Sequence, residues 1–163
     1  LVKEHGKPTS KLLEKMEYTR IPTIATYRDP RGAVLSAMDA AKMARDKGKN
    51  NKLARIHTLD DATAMIREDY DYFFQWVTLD RVIAISYDML AEDPTRTVGI
   101  IAEHLCIPVS PPKVLARFSN KNKIREFNKG VIDRYQYELS DSEQRRIMAR
   151  FEDYKDFVVS QNK

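Results

Sequence analysis

The sequence predicts an α/β protein with a parallel sheet, because short apolar runs alternate with segments of helical periodicity along most of the chain. Two further observations sharpen this. The run Val82-Ile83-Ala84-Ile85-Ser86-Tyr87 is nearly continuous in apolar content, as a parallel strand covered on both faces requires. The segment Tyr27-Arg28-Asp29-Pro30 joins an apolar strand to a helix with an arginine at the joint. In open α/β sheets ligands sit at the carboxyl ends of the strands, and Lys3, His5, Arg28 and Tyr87 fall at or near such ends.

The elements follow in order. Leu1-Val2-Lys3-Glu4-His5 reads as a short strand without initiator methionine or cap, so missing upstream sequence is expected. Thr9 or Ser10 caps a short helix through Tyr18 with Leu12, Leu13 and Met16 facing inward, and Ile21 to Tyr27 forms the next strand. Asp29 is a good N-cap and Pro30 suits the first helical position, so a helix runs from Pro30 to about Arg45, with Val34, Met38 and Ala41 at helical spacing. Its free N–H groups and positive dipole end, beside Arg28, suit a phosphate or sulfate group. Lys47 to Lys52 reads as an exposed loop and the best candidate for local mobility.

Thr58 and Asp61 resemble a capping box opening a long helix whose inward stripe is Ala62, Met65 or Ile66, Tyr70, Phe73 and Val77. Tyr70, Tyr72, Phe73, Phe74 and Trp76 crowd that helix and belong mostly to the core, with one or two free to line an acceptor pocket. Arg81 precedes the Val82–Tyr87 strand. Asp93-Pro94 starts a further helix with Val98, Ile101, Ala102 and Leu105 on one side, which Ile107-Pro108 stops. Pro111 to Phe118 is a short helix, Ser119 to Tyr137 a polar, basic, irregular stretch, and Ser140-x-x-Glu143 caps a closing helix.

At 163 residues and 42% hydrophobic content the chain suits one domain spanning 1–163. The 28 basic residues exceed the 24 acidic ones, and this excess of +4 favours an anionic ligand without requiring nucleic acid. An RNA-binding reading of the loops around Lys49 and Lys123 lacks the stacking aromatics it needs. Cys106 is the only cysteine, which excludes an intrachain disulfide, favours a reducing, cytoplasmic compartment and suggests a small buried filler. No apolar run approaches the roughly 20 residues that cross a bilayer. His5, His57 and His104 with one cysteine lack metal-ligand spacing, and His104, near a helix end, suits a bond to free carbonyls.

Lys3-x-His5, Arg28 with Ser36 eight positions on, Ser86-Tyr87-Asp88-Met89-Leu90 before Asp93-Pro94, and Phe127-Asn128-Lys129-Gly130, taken in this order, resemble the sulfotransferases that use 3'-phosphoadenosine-5'-phosphosulfate. The resemblance covers nearly the whole chain. It implies a three-layer parallel sheet flanked by helices, a P-loop-NTPase-like fold incomplete at its N-terminus here. Its usual phosphate loop, a lysine followed by Ser-Gly-Thr, belongs upstream of Lys3. The resemblance further implies that His5 is the general base on an acceptor hydroxyl or amine and Lys3 stabilises the leaving phosphate. By the same resemblance, Arg28, Ser36, Lys129 and the backbone of Gly130 would bind the 3'-phosphate, and Tyr87 would contact the adenine.

The acceptor is a small molecule or glycan, with no metal, nucleic acid or membrane involved, and the oligomeric state is left open. Plainer roles stand beside these: Arg28 pairing with Asp29, Ser36 facing solvent or back-bonding in its helix, Tyr87 as a packed ring, Arg31 as a solvated helix residue. Glu4 in place of the usual threonine either raises the pKa of His5 or points to the other face of the strand. A non-catalytic nucleotide- or anion-binding module is the alternative to an enzyme.

Overall fold

The computed structural model describes residues 6–118 and 131–161. They divide into two compact units, one formed by residues up to Arg28 with Asp71–Ile132, the other by Asp29–Tyr70 with Asp133 onward. The expected strand at Leu1–His5 lies outside the described residues.

In the first unit, helix α1 (Ser10–Thr19) starts where Thr9 Oγ1 accepts the Leu12 N–H at 3.3 Å. Leu12, Leu13 and Met16 form its half-buried stripe, as their spacing predicts. Strand β1 covers Thr23–Tyr27, two residues shorter at its start than the apolar run suggests. Pro22 has no N–H to give a ladder, so pairing begins with Thr23, whose N–H reaches Arg81 O at 3.0 Å.

Strand β2 (Val82–Ser86) pairs with β1 in parallel, in a register running from Thr23 opposite Val82 to Tyr27 opposite Ser86. Its first three residues are half-buried, and only Ile85 and Ser86 reach the full burial expected of the whole run. The strand also stops one residue early. Ser86 Oγ accepts the Met89 N–H at 2.9 Å and so caps helix α4 (Tyr87–Glu92), which turns Tyr87 from a strand end into the first residue of a helix.

Asp93 then caps the helix Pro94–His104. The Thr97 side chain on it is fully buried, its hydroxyl lying 3.0 Å from Met89 O and 2.8 Å from Asp93 O, which pins the two short helices together. That second helix is α5. It ends in a left-handed turn at Cys106, φ 53°, where Ile107 N–H returns to Ala102 O at 3.0 Å. The turn leaves Cys106 exposed rather than buried as a filler. Helix α6 (Pro111–Phe118) follows as predicted.

In the second unit, helix α2 (Pro30–Asp46) carries a buried face of mostly small residues, Gly32, Ala33, Val34, Leu35, Ala37, Ala41 and Ala44, which lets neighbours approach closely. It closes at Gly48, φ 63°, a left-handed position at which Gly48 and Lys49 N–H groups bond back to Arg45 and Ala44 carbonyls at 2.8 and 2.9 Å. Lys47 to Lys52 is exposed as expected, and a 3-10 turn at Leu53–Arg55 leads to Ile56, whose carbonyl accepts from the Arg45 guanidinium.

Helix α3 (Leu59–Val77) opens on the predicted capping box: Asp61 N–H to Thr58 Oγ1 at 3.1 Å, Thr58 N–H to Asp61 Oδ2 at 2.9 Å. Its residues through Tyr70 belong to this unit and the remainder to the first. Ala62, Ile66, Tyr70 and Phe73 of the predicted stripe are buried, while Met65 and Val77 are half-buried.

The closing region departs from expectation twice. Tyr135–Glu138 is helical (α7), where an irregular stretch was predicted, and one closing helix is in fact two, α8 (Asp141–Met148) and α9 (Glu152–Gln161). Burial explains both. Tyr135 is buried under Arg31, and the turn between α8 and α9 carries the fully buried Phe151, set edge-on to Tyr70 at 5.3 Å with the Arg67 guanidinium 5.0 Å from its ring centroid. The Ser140–Glu143 box at the start of α8 is present in both directions.

Truncating Phe151 to Ala removes the largest fully buried side chain among the described residues and should cost about 3–5 kcal/mol in urea denaturation. The acid limb of stability has a separate origin. Asp61 is held below its ordinary 3.8 chiefly by the His57 and Thr58 N–H groups, and Glu143 below 4.5 chiefly by the Ser140 hydroxyl. Their contributions are complete above those ordinary values and disappear as pH falls through the lowered ones. An Asp61→Asn, Glu143→Gln variant should therefore show a flatter loss of stability than wild type on acidification below about pH 5, measured by denaturation at each pH.

Candidate functional site

The parallel register puts the carboxyl ends of β1 and β2 side by side, with Tyr27 opposite Ser86. The residues just beyond each end, Arg28 and Tyr87, meet: the guanidinium carbon of Arg28 lies 4.6 Å from the Tyr87 ring centroid, and both residues are half-buried. A guanidinium over an aromatic face is attracted by the negative face of the ring, which holds the two residues together.

Tyr27 builds the floor beside them. Its ring packs 5.4 Å from that of Phe73, and its hydroxyl is bonded to Ser86, whose Oγ also caps α4. Burial raises the Tyr27 phenol above its ordinary 10.0 and Asp88 adds to this, outweighing the Ser86 bond, so the ring stays neutral at working pH. Trp76 Nε1 donates to Gly6 O at 2.9 Å. His104 Nε2 lies 3.0 Å from Thr23 O, the bond to a carbonyl that its place near a helix end suggests, though the carbonyl belongs to β1 rather than to its own helix.

Asp29 and Ser36 lie in the other unit. Asp29 caps α2 by accepting the Arg31 N–H at 2.9 Å, and the same carboxylate takes a two-pronged bond from the Arg31 guanidinium at 2.8 and 2.6 Å. Arg31 also donates to Gln144 Oε1 at 3.2 Å and lies 3.8 Å from the Tyr135 ring centroid. The bond to Asp29 raises its pKa. Arg31 is thus a locked residue of the helix entry and not a solvated one. Asp29 sets a carboxylate at the start of α2, where the sequence also offers a place for a phosphate or sulfate. Ser36 sits half-buried in α2.

Of the residues picked from sequence, the structure brings Arg28 and Tyr87 together and places Ser36 on α2. Lys3, His5, Lys129 and Gly130 lie outside the described residues. Tyr27 and Ser86 were missed as supports of the Arg28–Tyr87 pair; their signal is their position at the last rung of two apolar strands. The roles of Tyr135 and Gln144 have no local signal, because each meets Arg31 from more than a hundred positions away. Among the described residues no group of three or more His, Cys, Asp and Glu side chains could hold a metal ion, and no helix is long and apolar enough to cross a membrane.

A family model for the sulfotransferase domain matches residues 1–157. The chain belongs to the sulfotransferase family. It is accordingly an enzyme of sulfuryl transfer with the α/β fold of that family, of which β1, β2 and the helices around them are the described part. No curated protein and no solved structure matches this sulfotransferase.

The neutral, buried Tyr27 gives a direct check. Subtracting the phenolate absorbance titration of a Tyr27→Phe variant from that of the wild type should isolate one group ionising above 10.0, the ordinary tyrosine value. A difference curve centred at or below that value would contradict the packing described.

Proposed function

We propose that this sulfotransferase moves a sulfuryl group from 3'-phosphoadenosine-5'-phosphosulfate to an acceptor hydroxyl or amine on a small molecule or glycan. In the family such a donor supplies the sulfuryl group and departs as the bisphosphate. The residues of this chain have three tasks. His5 accepts the proton of the attacking hydroxyl or amine, since an imidazole has an unperturbed pKa near neutrality. Lys3 sets a compact positive charge where negative charge develops on the departing phosphate oxygen. Arg28, Ser36, Lys129 and the backbone at Gly130 hold the 3'-phosphate, with Tyr87 beside the adenine. A three-layer sheet extending the β1–β2 pair belongs to the same reading.

The observation that supports this most is the Arg28–Tyr87 pair: a fork of donors suited to a phosphate, fixed against an aromatic ring, at the carboxyl edge of two parallel strands. The acid-base part rests on the family resemblance of Lys3-x-His5.

Isothermal titration with adenosine 3',5'-bisphosphate tests the nucleotide site. Arg28→Ala should weaken binding about 10- to 100-fold, the equivalent of losing charge-assisted bonds of about 1.5–3 kcal/mol. His5→Ala should leave that affinity in place and lower the transfer rate by about 100- to 10,000-fold. Wild-type protein that fails to bind the bisphosphate, or His5→Ala with undiminished turnover, would refute the corresponding half of the proposal.

A further inference from the structure

Gly6 is peptide-bonded to His5, the base assigned above, so its Cα lies only about 3.8 Å from the Cα of that residue. Its carbonyl is the one that accepts the Trp76 Nε1 proton at 2.9 Å. The two residues stand 70 positions apart, so the bond closes a long loop and is no product of local chain geometry. Both of its ends lie in the same unit.

Trp76 is well placed to hold a carbonyl still. It is the last residue but one of α3, and its own carbonyl accepts the Leu79 N–H at 3.1 Å in the turn that leads to β2. That turn passes through Arg81, φ 65°, whose carbonyl takes the Thr23 N–H at 3.0 Å and so ties the turn to the first rung of the sheet. Phe73, three residues before Trp76 and a neighbour on the helix surface, packs 5.4 Å from Tyr27. An indole has one donor and few rotatable bonds, so a half-buried ring at the end of a tethered helix aims its N–H with little freedom.

The chain leaves Gly6 under restraint as well. Pro8 favours extended backbone at Lys7, and Thr9 then caps α1, its carbonyl accepting the Leu12 and Leu13 N–H groups at 2.9 Å each. Gly6 thus stands between a helix cap three residues on and a bond to α3. A general base works only within hydrogen-bond reach of the proton it takes, and a displacement of about 1 Å can cost about 100-fold in rate.

We propose that Trp76 is a positioning residue for His5: its indole N–H holds the carbonyl of the next residue and so fixes the stretch of backbone that carries the imidazole. This rests on the assignment of His5 as the base. It goes beyond that assignment by giving the one tryptophan of the chain a role exerted through the backbone.

Because Trp76 is the only tryptophan, its indole N–H gives a single peak in a nitrogen–proton correlation NMR spectrum. In the wild type this peak should move with pH in a step centred within about one unit of 6.5, the histidine range. His5→Ala should abolish the step, whereas His57→Gln and His104→Gln should keep it. Trp76→Phe, which keeps a ring but loses the donor, should move the His5 titration midpoint by at least about 0.3, a twofold change in proton affinity. The ring signals of His57 and His104 should stay in place, and binding of adenosine 3',5'-bisphosphate should stay within about threefold of wild type.

A role confined to stability predicts a lower melting temperature for Trp76→Phe with the His5 midpoint unmoved. That result, or an indole peak whose pH response is the same in His5→Ala, overturns the proposal. Should Trp76→Phe fail to fold, the wild-type and His5→Ala spectra decide by themselves. His5→Ala with undiminished turnover removes the base itself, and the role of Trp76 falls with it.

Discussion

Parallel pairing of β1 with β2 is the constraint on which the described part of the site depends. Antiparallel strands would send Arg28 and Tyr87 to opposite edges, whereas parallel strands in the register Tyr27 to Ser86 deliver both to one edge. The pairing also sets how each strand ends. Ser86 uses its hydroxyl twice, capping α4 and bonding Tyr27, so the end of one strand fixes the side chain at the end of the other. The Arg28–Tyr87 stack follows from this arrangement and needs no loop to organise it.

Charge is handled differently in the unit that holds α2. Among the described residues there, Arg31 is matched to Asp29, Arg67 to Asp153, and Arg134 to Asp39 and Glu138, each with its side chain mostly buried. Burial works against the charge of Arg134, whose side chain is 5% exposed, yet Asp39 and Glu138 outweigh it and raise its pKa. Its Nε is buried without a hydrogen-bond partner among the described residues. Removing one acid from such a pair leaves a buried charge uncompensated, which ties the local geometry to the pairing. The pairs of Arg31 and Arg134 fix the entry of α2 and the path of the chain through α7, the two stretches flanking segments assigned to the nucleotide.

Much of this architecture is legible in the sequence, and the legible part has a common cause. Helix starts at Thr9, Asp29, Thr58, Asp93 and Ser140 all appear where predicted, because each is decided by a side chain bonding to an N–H two or three residues away. The inward stripe of α3 is likewise local periodicity. Strand ends were less legible: Pro22 shortens β1, and the capping preference of Ser86 overrides the apolar run that would have extended β2 to Tyr87. The helix at Tyr135, the break before Phe151 and the exposure of Cys106 were not legible at all. The first two answer to the Arg31 and Tyr70 side chains far away in sequence, and the third to a left-handed turn.

By itself, then, the sequence determined the order of strands and helices, their caps, the family, and the choice of Arg28 and Tyr87 as candidates for the site. Those are properties of short windows and of motif spacing. Tertiary structure alone decided that Arg28 stacks on Tyr87, that Tyr27 and Ser86 hold the edge beneath them, and that Arg31 is spent on Asp29 under Tyr135 and Gln144. The reason is physical. A long charged side chain can reach several partners of similar energy, and only the packing of distant segments determines which of them is within bonding distance.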